Sequence, residues 1–139
     1  MSSECRELSL SGWEVSLINL DYGFGLVLES PDEHHRAAHV RIGSSFELTG
    51  ADGTRHHVEP GPPQTSVAPA LVLHTQRVAR AMVSSRGRLE IYFEDLSRIE
   101  VGADMHYEAW QISGPDGFLV CIPGGEIADL PPREDRLPG

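Results

Sequence analysis

The stretch "HYEAWQISGPDGFLVCIPGG" spans residues 106–125, and a weaker copy of it, "SSFELTGADGTRHHVEPG", spans residues 44–61. In both, a run with alternating apolar residues is followed by the pattern G-x-D-G and by a second strand-like run. Alternating apolar residues are typical of half-buried β-strands, and Asp-Gly is typical of the turn between them. Each stretch is therefore predicted to form a β-hairpin.

The two G-x-D-G turns, at residues 50–53 and 114–117, share a local explanation. The residue before the Asp suits the first central position of a type I turn, and the Asp suits the second. Gly53 or Gly117 is then expected to take the left-handed conformation that closes a bulged hairpin. Because such turns are common in all-β chains, two unrelated hairpins are the alternative to a repeat.

Apolar positions upstream of the two turns favour a repeat. At an offset of 63 residues, four of them match without a gap: Val15 with Val78, Leu20 with Val83, Leu26 with Leu89 and Leu28 with Ile91. "HVRIG" (39–43) then matches "RIEVG" (98–102) once the preceding loop is shortened. These matches indicate an internal duplication with halves at about 13–60 and 78–126.

The segment between the halves is predicted to cross from one to the other. Three prolines within residues 60–66 hold the chain extended, and the apolar spacing of residues 67–77 predicts a short helix. One half alone would bury little, so the two must share a core. We predict a mainly β fold: two similar antiparallel β-meanders packed as one sandwich or partly open barrel, with a short crossover helix near 67–77.

The 139 residues are enough for one domain with its own core. Strand-like patterns begin at residue 13, which gives a single β-rich domain over residues 13–130. Residues 1–12 are predicted to be a partly disordered N-terminal segment, and residues 131–139 a frayed C-terminal tail.

The charge balance is acidic, with 21 Asp and Glu against 11 basic residues and a formal net charge of −10. Nucleic acid and anionic membranes attract an excess of positive charge, so neither is expected as a partner. Net charge also keeps small proteins dispersed, and that is the simpler explanation. The alternative is an acidic surface for a basic partner.

The two cysteines, Cys5 and Cys121, are too few for a disulfide framework and fit a reducing compartment. No stretch is long and apolar enough for a membrane helix, and "MSSECRELSLSG" lacks the features of a signal peptide. We expect a cytoplasmic protein.

Five histidines of the first half raise the question of a metal site: His34, His35, His39, His56 and His57. Zinc needs three or four ligands converging on one point, whereas adjacent residues of a strand point to opposite faces. None of the five matches a histidine in the second half. We therefore predict solvent-facing polar loops, with no metal and no cofactor.

Catalytic motifs are absent from the sequence, which contains no G-x-S-x-G, phosphate-binding loop, dinucleotide fingerprint or H-E-x-x-H. Cys121 and His106 could form a nucleophilic pair, but Cys121 lies between Val120 and Ile122. A thiol in apolar surroundings is inert, so we expect Cys121 in the core. The sequence favours a protein that is not an enzyme.

The halves differ most before Trp110, where about five residues are inserted relative to the first half. An insertion on a repeated scaffold is a reasonable place for function, because loops tolerate change. Tyr107, Glu108 and Trp110 are the candidate binding residues, since aromatic side chains contribute much interface energy. The alternative is that Trp110, aligned with Phe46, fills the core, and that Tyr107 covers a sheet edge.

The combination of Y-E-A-W (107–110), G-P-D-G (114–117) and C-I-P-G-G-E (121–126) resembles an uncharacterised bacterial family of small proteins of unknown function. The resemblance is strongest over residues 105–128 and weaker over residues 13–101. Because the family has no assigned activity, the resemblance implies no catalytic residue.

These observations favour a non-catalytic acidic protein-binding module, most concretely an immunity or inhibitor-type protein for a basic partner. Either a protein partner or a homo-oligomer is expected. A small-ligand or regulatory module that binds between the meanders is the second hypothesis. A hydrolase whose Asp, Glu or His groups meet only in space is the third.

Overall fold

The computed structural model describes residues 5–32, 35–115 and 117–131. These residues form twelve strands and one 3-10 helix, the helix spanning Ala68–Leu73. The strands are β1 (Cys5–Leu8), β2 (Glu14–Leu20), β3 (Phe24–Glu29), β4 (Ala37–Ile42), β5 (Phe46–Thr49), β6 (Arg55–Val58), β7 (Val78–Ser84), β8 (Leu89–Phe93), β9 (Arg98–Val101), β10 (Trp110–Gly114), β11 (Gly117–Cys121) and β12 (Ile127–Leu130).

The strands form two six-stranded antiparallel sheets that pack face to face. Sheet A has the order β1-β7-β8-β9-β5-β6, and sheet B has the order β12-β11-β10-β4-β3-β2. The inward residues of both sheets form one buried apolar cluster. The predicted sandwich is confirmed. The two sheets do not close on each other, so the fold is a sandwich and not the partly open barrel that was the alternative.

Each sheet is built from both halves of the repeat. The first half contributes β2, β3 and β4 to sheet B, and its hairpin β5–β6 crosses to sheet A. The second half contributes β7, β8 and β9 to sheet A, and its hairpin β10–β11 crosses to sheet B. Strand β4 consequently pairs with β10, and β5 pairs with β9.

The strand registers preserve the repeat that the sequence predicts. The pairing of β2 with β3 shifts between Val15 and Leu17, and that of β7 with β8 shifts at the matching place, between Val78 and Arg80. A β-bulge is a specific irregularity of a strand, so the same bulge at the same place in both halves supports duplication over coincidence.

The ungapped alignment of β3 with β8 is wrong by two residues. Leu26 lies opposite Val40, and the residue that occupies the corresponding place opposite Ile99 is Ile91. Leu26 therefore corresponds to Ile91, not to Leu89. The cause is a longer connection between β7 and β8 than between β2 and β3. The last paired residues before the connection are Val83 and Leu89 in the second half, and Leu20 and Phe24 in the first.

The crossover helix is shorter than the predicted span of 67–77, and it is a 3-10 helix. It buries Ala70 and Leu73 in the shared core. It cannot continue to residue 77, because the backbone beyond it pairs with β2: Thr75 N donates to Val15 O at 2.8 Å, and Val15 N donates to Gln76 O at 2.8 Å.

The two G-x-D-G turns differ in the structure. In the first, Gly53 has φ 88°, Gly53 N donates to Gly50 O at 2.9 Å and Gly50 N donates to Thr54 O at 2.8 Å, as expected for the bulged turn. In the second, Gly114 pairs directly with Gly117, and Asp116 lies outside the described residues.

Both ends of the described chain are strands of the sandwich. Strand β1 pairs with β7, although it lies in the segment that the sequence placed before the domain, and β12 pairs with β11. Residues 1–4 and 132–139, which include most of the predicted tail, lie outside the described residues.

Candidate functional site

One end of the sandwich, called the loop end below, gathers connections from both sheets. It contains the turns and crossovers at residues 21–23, 43–45, 85–88, 102–109 and 122–126. The inserted segment of the second half is the longest of them.

The inserted loop, residues 102–109, is fixed by Asp104. One carboxylate oxygen of Asp104 accepts hydrogen bonds from the backbone N–H of His106 at 2.8 Å and of Tyr107 at 3.1 Å. The carbonyl of Asp104 accepts a further bond from Gly124 N at 2.9 Å. The loop is thus tied both to itself and to the turn between β11 and β12.

The predicted binding residues separate into two groups. Tyr107 is 70% exposed, and its neighbours Met105 and Glu108 are also exposed. Trp110 is only 1% exposed and belongs to the core. Tyr107 and Glu108 are therefore accessible to a partner, whereas the side chain of Trp110 is not.

Tyr22 is the exposed aromatic that the sequence reasoning missed. It is 83% exposed on the turn between β2 and β3. Asp21 holds this turn: its carboxylate accepts hydrogen bonds from Gly23 N at 2.7 Å and from both terminal nitrogens of Arg41 at 2.9 and 3.1 Å. The Arg41 guanidinium, together with the Gly23 N–H, lowers the pKa of Asp21 below its ordinary value.

Tyr22 and Tyr107 lie at the same end of sheet B. Strands β3, β4 and β10 are consecutive neighbours, with Ile42 paired to both Phe24 and Trp110. Adjacent strands are about 4.8 Å apart, so the starts of β3 and β10 are separated by roughly 10 Å. One partner can therefore contact both the Tyr22 turn and the inserted loop.

A shallow acidic depression of about 270 Å³ adjoins the inserted loop on its sheet A side. Its charged lining residues are the acidic Glu47, Glu100 and Asp104 and the basic Arg88. Glu47 and Glu100 are direct cross-strand neighbours, and Glu90 is the neighbour of Glu100 on the other side. Like charges directly opposite each other are unfavourable in a sheet, so this row needs compensation.

Basic groups around the row supply that compensation. Arg88 forms an ion pair with Glu100, and Arg98 lies 3.4 Å from the same carboxylate. His57 Nδ1 lies 2.5 Å from Glu47, and this hydrogen bond raises the pKa of His57 above its ordinary value of 6.5. Glu108 has no ion-pair partner among the described residues.

The C-terminal sequence motif forms a structural contact between the sheets. Trp110 Nε1 donates to Gly87 O at 2.9 Å, and the thiol of Cys121 lies 3.5 Å from the same oxygen. A side chain at Gly125 would lie 2.6 Å from Arg86 O, so the two turns touch backbone to backbone. Trp110, Cys121 and Gly125 thus converge on the turn between β7 and β8.

The structure assembles neither the Cys121–His106 pair nor the histidine metal site that the sequence raised as possibilities. Burial raises the pKa of the Cys121 thiol, which keeps the sulfur protonated and unreactive, while His106 is exposed in the loop. His39 lies on sheet B, and His56 and His57 lie on sheet A. In residues 5–32, 35–115 and 117–131, no three His, Cys, Asp or Glu side chains could hold a metal; His34 lies outside them.

A second cleft opens between the sheets near β1. It has a volume of about 120 Å³, and its apolar lining includes Leu8, Trp13 and Ile112. The ion pair between Arg6 and Asp129, at 2.6 Å, lies among the lining residues and joins the edges of the two sheets. This cleft is the space that a small ligand between the meanders would use.

Among the described residues, no helix has the length and apolar character that crossing a membrane requires.

Together these features define an internally repeated antiparallel β-sandwich whose loop end presents exposed aromatic side chains beside carboxylates. The chain belongs to a family of unknown function, DUF6188, whose model matches residues 6–131. The resemblance to an uncharacterised family is therefore confirmed. No curated protein and no solved structure matches the chain.

Proposed function

We propose that the protein is a non-catalytic acidic module that binds a basic protein partner through the loop end, in the manner of an immunity or inhibitor-type protein. The observation that supports this most is the inserted loop: Tyr107 is exposed on a segment that Asp104 holds in place, beside an acidic depression. The binding surface consists of Tyr22, Glu47, Glu100, Asp104, Met105, Tyr107 and Glu108.

Pre-ordering of the aromatic side chains favours binding. Aromatic residues often dominate interface energy, and a surface that is already ordered loses less entropy when a partner binds. Tyr22 and Tyr107 both lie on connections that a carboxylate fixes by hydrogen bonds, Asp21 in one case and Asp104 in the other. Each can therefore act as a preformed anchor.

The charge distribution favours a basic partner. A net charge of −10 accelerates the approach of a positively charged protein and disfavours an acidic one. In the depression, a partner's Arg or Lys would compete with His57 for Glu47 and with Arg88 for Glu100, whereas Glu108 is available without breaking an existing ion pair. Such binding would occur in the cytoplasm, where we place the protein.

The test is quantitative capture from native lysate on immobilised protein, with Tyr107→Ala as the variant. Leu96→Ala is the matched control, because Leu96 is 80% exposed but lies on the turn between β8 and β9, at the opposite end of the sandwich. We expect the wild type and the control to retain one basic protein, which dissociates at high salt. The amount retained should fall at least about tenfold with Tyr107→Ala. Equal retention by all three proteins, or an acidic partner, would refute the proposal.

A small ligand in the cleft near β1 is the second candidate function, because Trp13 and Ile112 give that cleft an apolar interior. A cavity of roughly 150 Å³ lined by apolar side chains can take up a molecule the size of benzene. Native mass spectrometry of freshly purified protein tests this. Ala38 also lines the cleft, and a larger side chain there would fill it. A stoichiometric small molecule that is lost in Ala38→Leu would favour ligand binding over protein binding. A bare polypeptide mass would count against it.

A further inference from the structure

The two sheets have four edge strands, and three of them carry charged side chains along the edge; on the fourth, β2, the charged residue is Glu14 at the start of the strand, 3.9 Å from Arg77. Arg6 on β1 pairs with Asp129 on β12, and Glu7 on β1 pairs with Arg80. On β6, His57 pairs with Glu47. Charged side chains on an edge strand discourage pairing with another chain, so these three edges are protected.

The fourth edge, β2, lacks this protection. Its free part, Ser16–Leu20, contains no Asp, Glu, Lys or Arg, and the adjoining stretch 62–76 contains none either. The chain has 21 acidic and 11 basic residues, so two neighbouring uncharged stretches stand out from the rest of the surface. The exposed leucines Leu17 and Leu20 lie on β2, and the exposed Leu71 and Val72 lie on the crossover helix.

The backbone of β2 is also open along this edge. The neighbouring segment bonds to Val15 through Thr75 N and Gln76 O, and the ring of His74 reaches Ser16 O at 3.2 Å. Between Leu17 and Leu20, no hydrogen bond joins the outer side of β2 to any other described segment; just beyond Leu20, the Gln64 side chain donates to Asp21 O at 2.6 Å. Alternate residues within 17–20 therefore direct unpaired N–H and C=O groups outward, which is the template that an added strand requires.

We propose that β2 is the interface for a second copy of this chain, with the two β2 strands pairing antiparallel across a two-fold axis. Sheet B of one molecule then continues into sheet B of the other. A two-fold interface brings the same surface together from both sides, so each exposed leucine meets an equally apolar surface.

The absence of charge along the free part of β2 favours a second copy of the chain as its occupant over the basic partner proposed for the loop end. Two molecules with a net charge of −10 repel each other, and the repulsion is least where the contacting surfaces carry no charge. A basic partner would gain no ion pair on β2. The inserted loop stays free in this dimer, because it precedes β10, and β3 and β4 separate β10 from β2. The Tyr22 turn, which directly follows Leu20, lies beside the dimer interface.

Sedimentation equilibrium over a range of protein concentrations tests the interface. We expect the wild type to shift from monomer to dimer mass with concentration, and Leu17→Lys to remain monomeric because it places an ammonium group on the edge. Leu96→Lys changes a leucine that is more exposed, 80% against 50% for Leu17, on the turn between β8 and β9 of sheet A, and it should associate like the wild type. Circular dichroism confirms that each variant folds, and Leu20→Lys replaces Leu17→Lys if that variant does not.

Salt separates this interface from the proposed function. Screening should strengthen association of the like-charged copies and weaken binding of a basic partner, so the two contacts respond in opposite directions. A wild type of monomer mass at every concentration overturns the dimer, and so does a Leu17→Lys variant that associates as well as the wild type. Either result leaves the loop-end proposal standing on its own test.

Discussion

At the loop end, the two halves of the repeat close the sandwich in different ways. In the second half, the turn containing Gly87 meets the turn containing Gly125 backbone to backbone, and the Trp110 ring donates to Gly87 O. In the first half, the Tyr22 turn meets residues 61–64 more loosely. A side chain at Gly61 would lie 3.4 Å from Tyr22 O, and the Gln64 side chain donates to Asp21 O at 2.6 Å.

The two halves also differ in the aromatic residue that begins the crossing hairpin and fills the core. Phe46 stands where the second half has Trp110, and it packs against Phe24 with ring centroids 5.2 Å apart, without a polar bond to a turn. At the turn between the first two strands of each half, the scaffold therefore closes tightly in the second half and leaves an exposed tyrosine in the first. The tight contact is expected to contribute most to stability, and the looser one is free to contribute to binding.

The largest effect is expected from Gly125→Ala, which would place a methyl group 2.6 Å from Arg86 O. Gly125 and its neighbour Gly124 both have positive φ, at 102° and 92°, but nothing lies within 4 Å of a side chain at Gly124. Gly124→Ala thus isolates the conformational cost, of about 1–2 kcal/mol. We expect Gly125→Ala to lose roughly 1–3 kcal/mol more, from overpacking, as measured by urea unfolding. Equal losses would show that the turns can move apart.

Trp110→Phe places a phenyl ring in the second half where the first half already has one. It removes the indole N–H that donates to Gly87 O and leaves the weak Cys121 thiol as the remaining contact. The lost hydrogen bond should lower the free energy of unfolding by about 1–3 kcal/mol, and the cavity left by the smaller ring adds to this loss. Trp13→Phe is the matched control, because the Trp13 ring N–H has no hydrogen bond to another described residue. If both variants lose the same stability, the indole hydrogen bond does not distinguish the halves.

Leu96→Gly should stabilise the protein. The turns at 50–54 and 93–97 use the same bonds, with Asp52 accepting from Thr54 N and Asp95 accepting from Ser97 N, but the left-handed residue is Gly53 in one and Leu96 in the other. A left-handed leucine costs roughly 1–2 kcal/mol, of which the entropy of an added glycine offsets part. Thermal unfolding should show a small gain, and Gly53→Ala the opposite change. A loss in Leu96→Gly would mean that the leucine makes a stabilising contact.

The smallest effect concerns pH. Glu47 and His57 are cross-strand partners, and the corresponding residues of the second half, Gln111 and Val120, cannot form an ion pair. The raised pKa of His57 means that its bond to Glu47 stabilises the fold fully below the ordinary pKa of 6.5 and is lost as pH rises through the folded value.

Glu47→Gln should therefore lower the pKa of His57 in an NMR titration, and its cost in stability should be greater at pH 6 than at pH 9. Glu59→Gln is the control, because Glu59 acts more weakly on the same ring at 3.6 Å. An unchanged titration in Glu47→Gln would contradict the assignment.

Local chemistry made much of this fold predictable. The match of Val15 with Val78 predicted equivalent apolar positions in the two halves, and both side chains are buried. The sequence 50–53 predicted its bulged turn, because few residues other than glycine accept the left-handed conformation. The repeat was visible because inward positions on both copies require apolar residues, although Leu20, which was matched with the buried Val83, is 42% exposed.

The contacts between elements were not predictable in the same way. Alternation determines which face of a strand is buried, but not which strand lies beside it, so the crossing of both hairpins was hidden. Trp110 was named both as a core residue and as a binding candidate, because an aromatic residue suits either environment. Tyr22 was missed because binding residues were sought in the inserted segment, and Tyr22 lies outside it.

The crossing hairpins also bear on how the chain folds. Neither half can complete a sheet by itself, since β5–β6 needs β9 from the second half and β10–β11 needs β4 from the first. The ordered state must wait for segments that are far apart in the chain to meet, and a high contact order of this kind slows folding. A ribosome that has released only the first half would therefore hold an unpaired hairpin until the second half emerges.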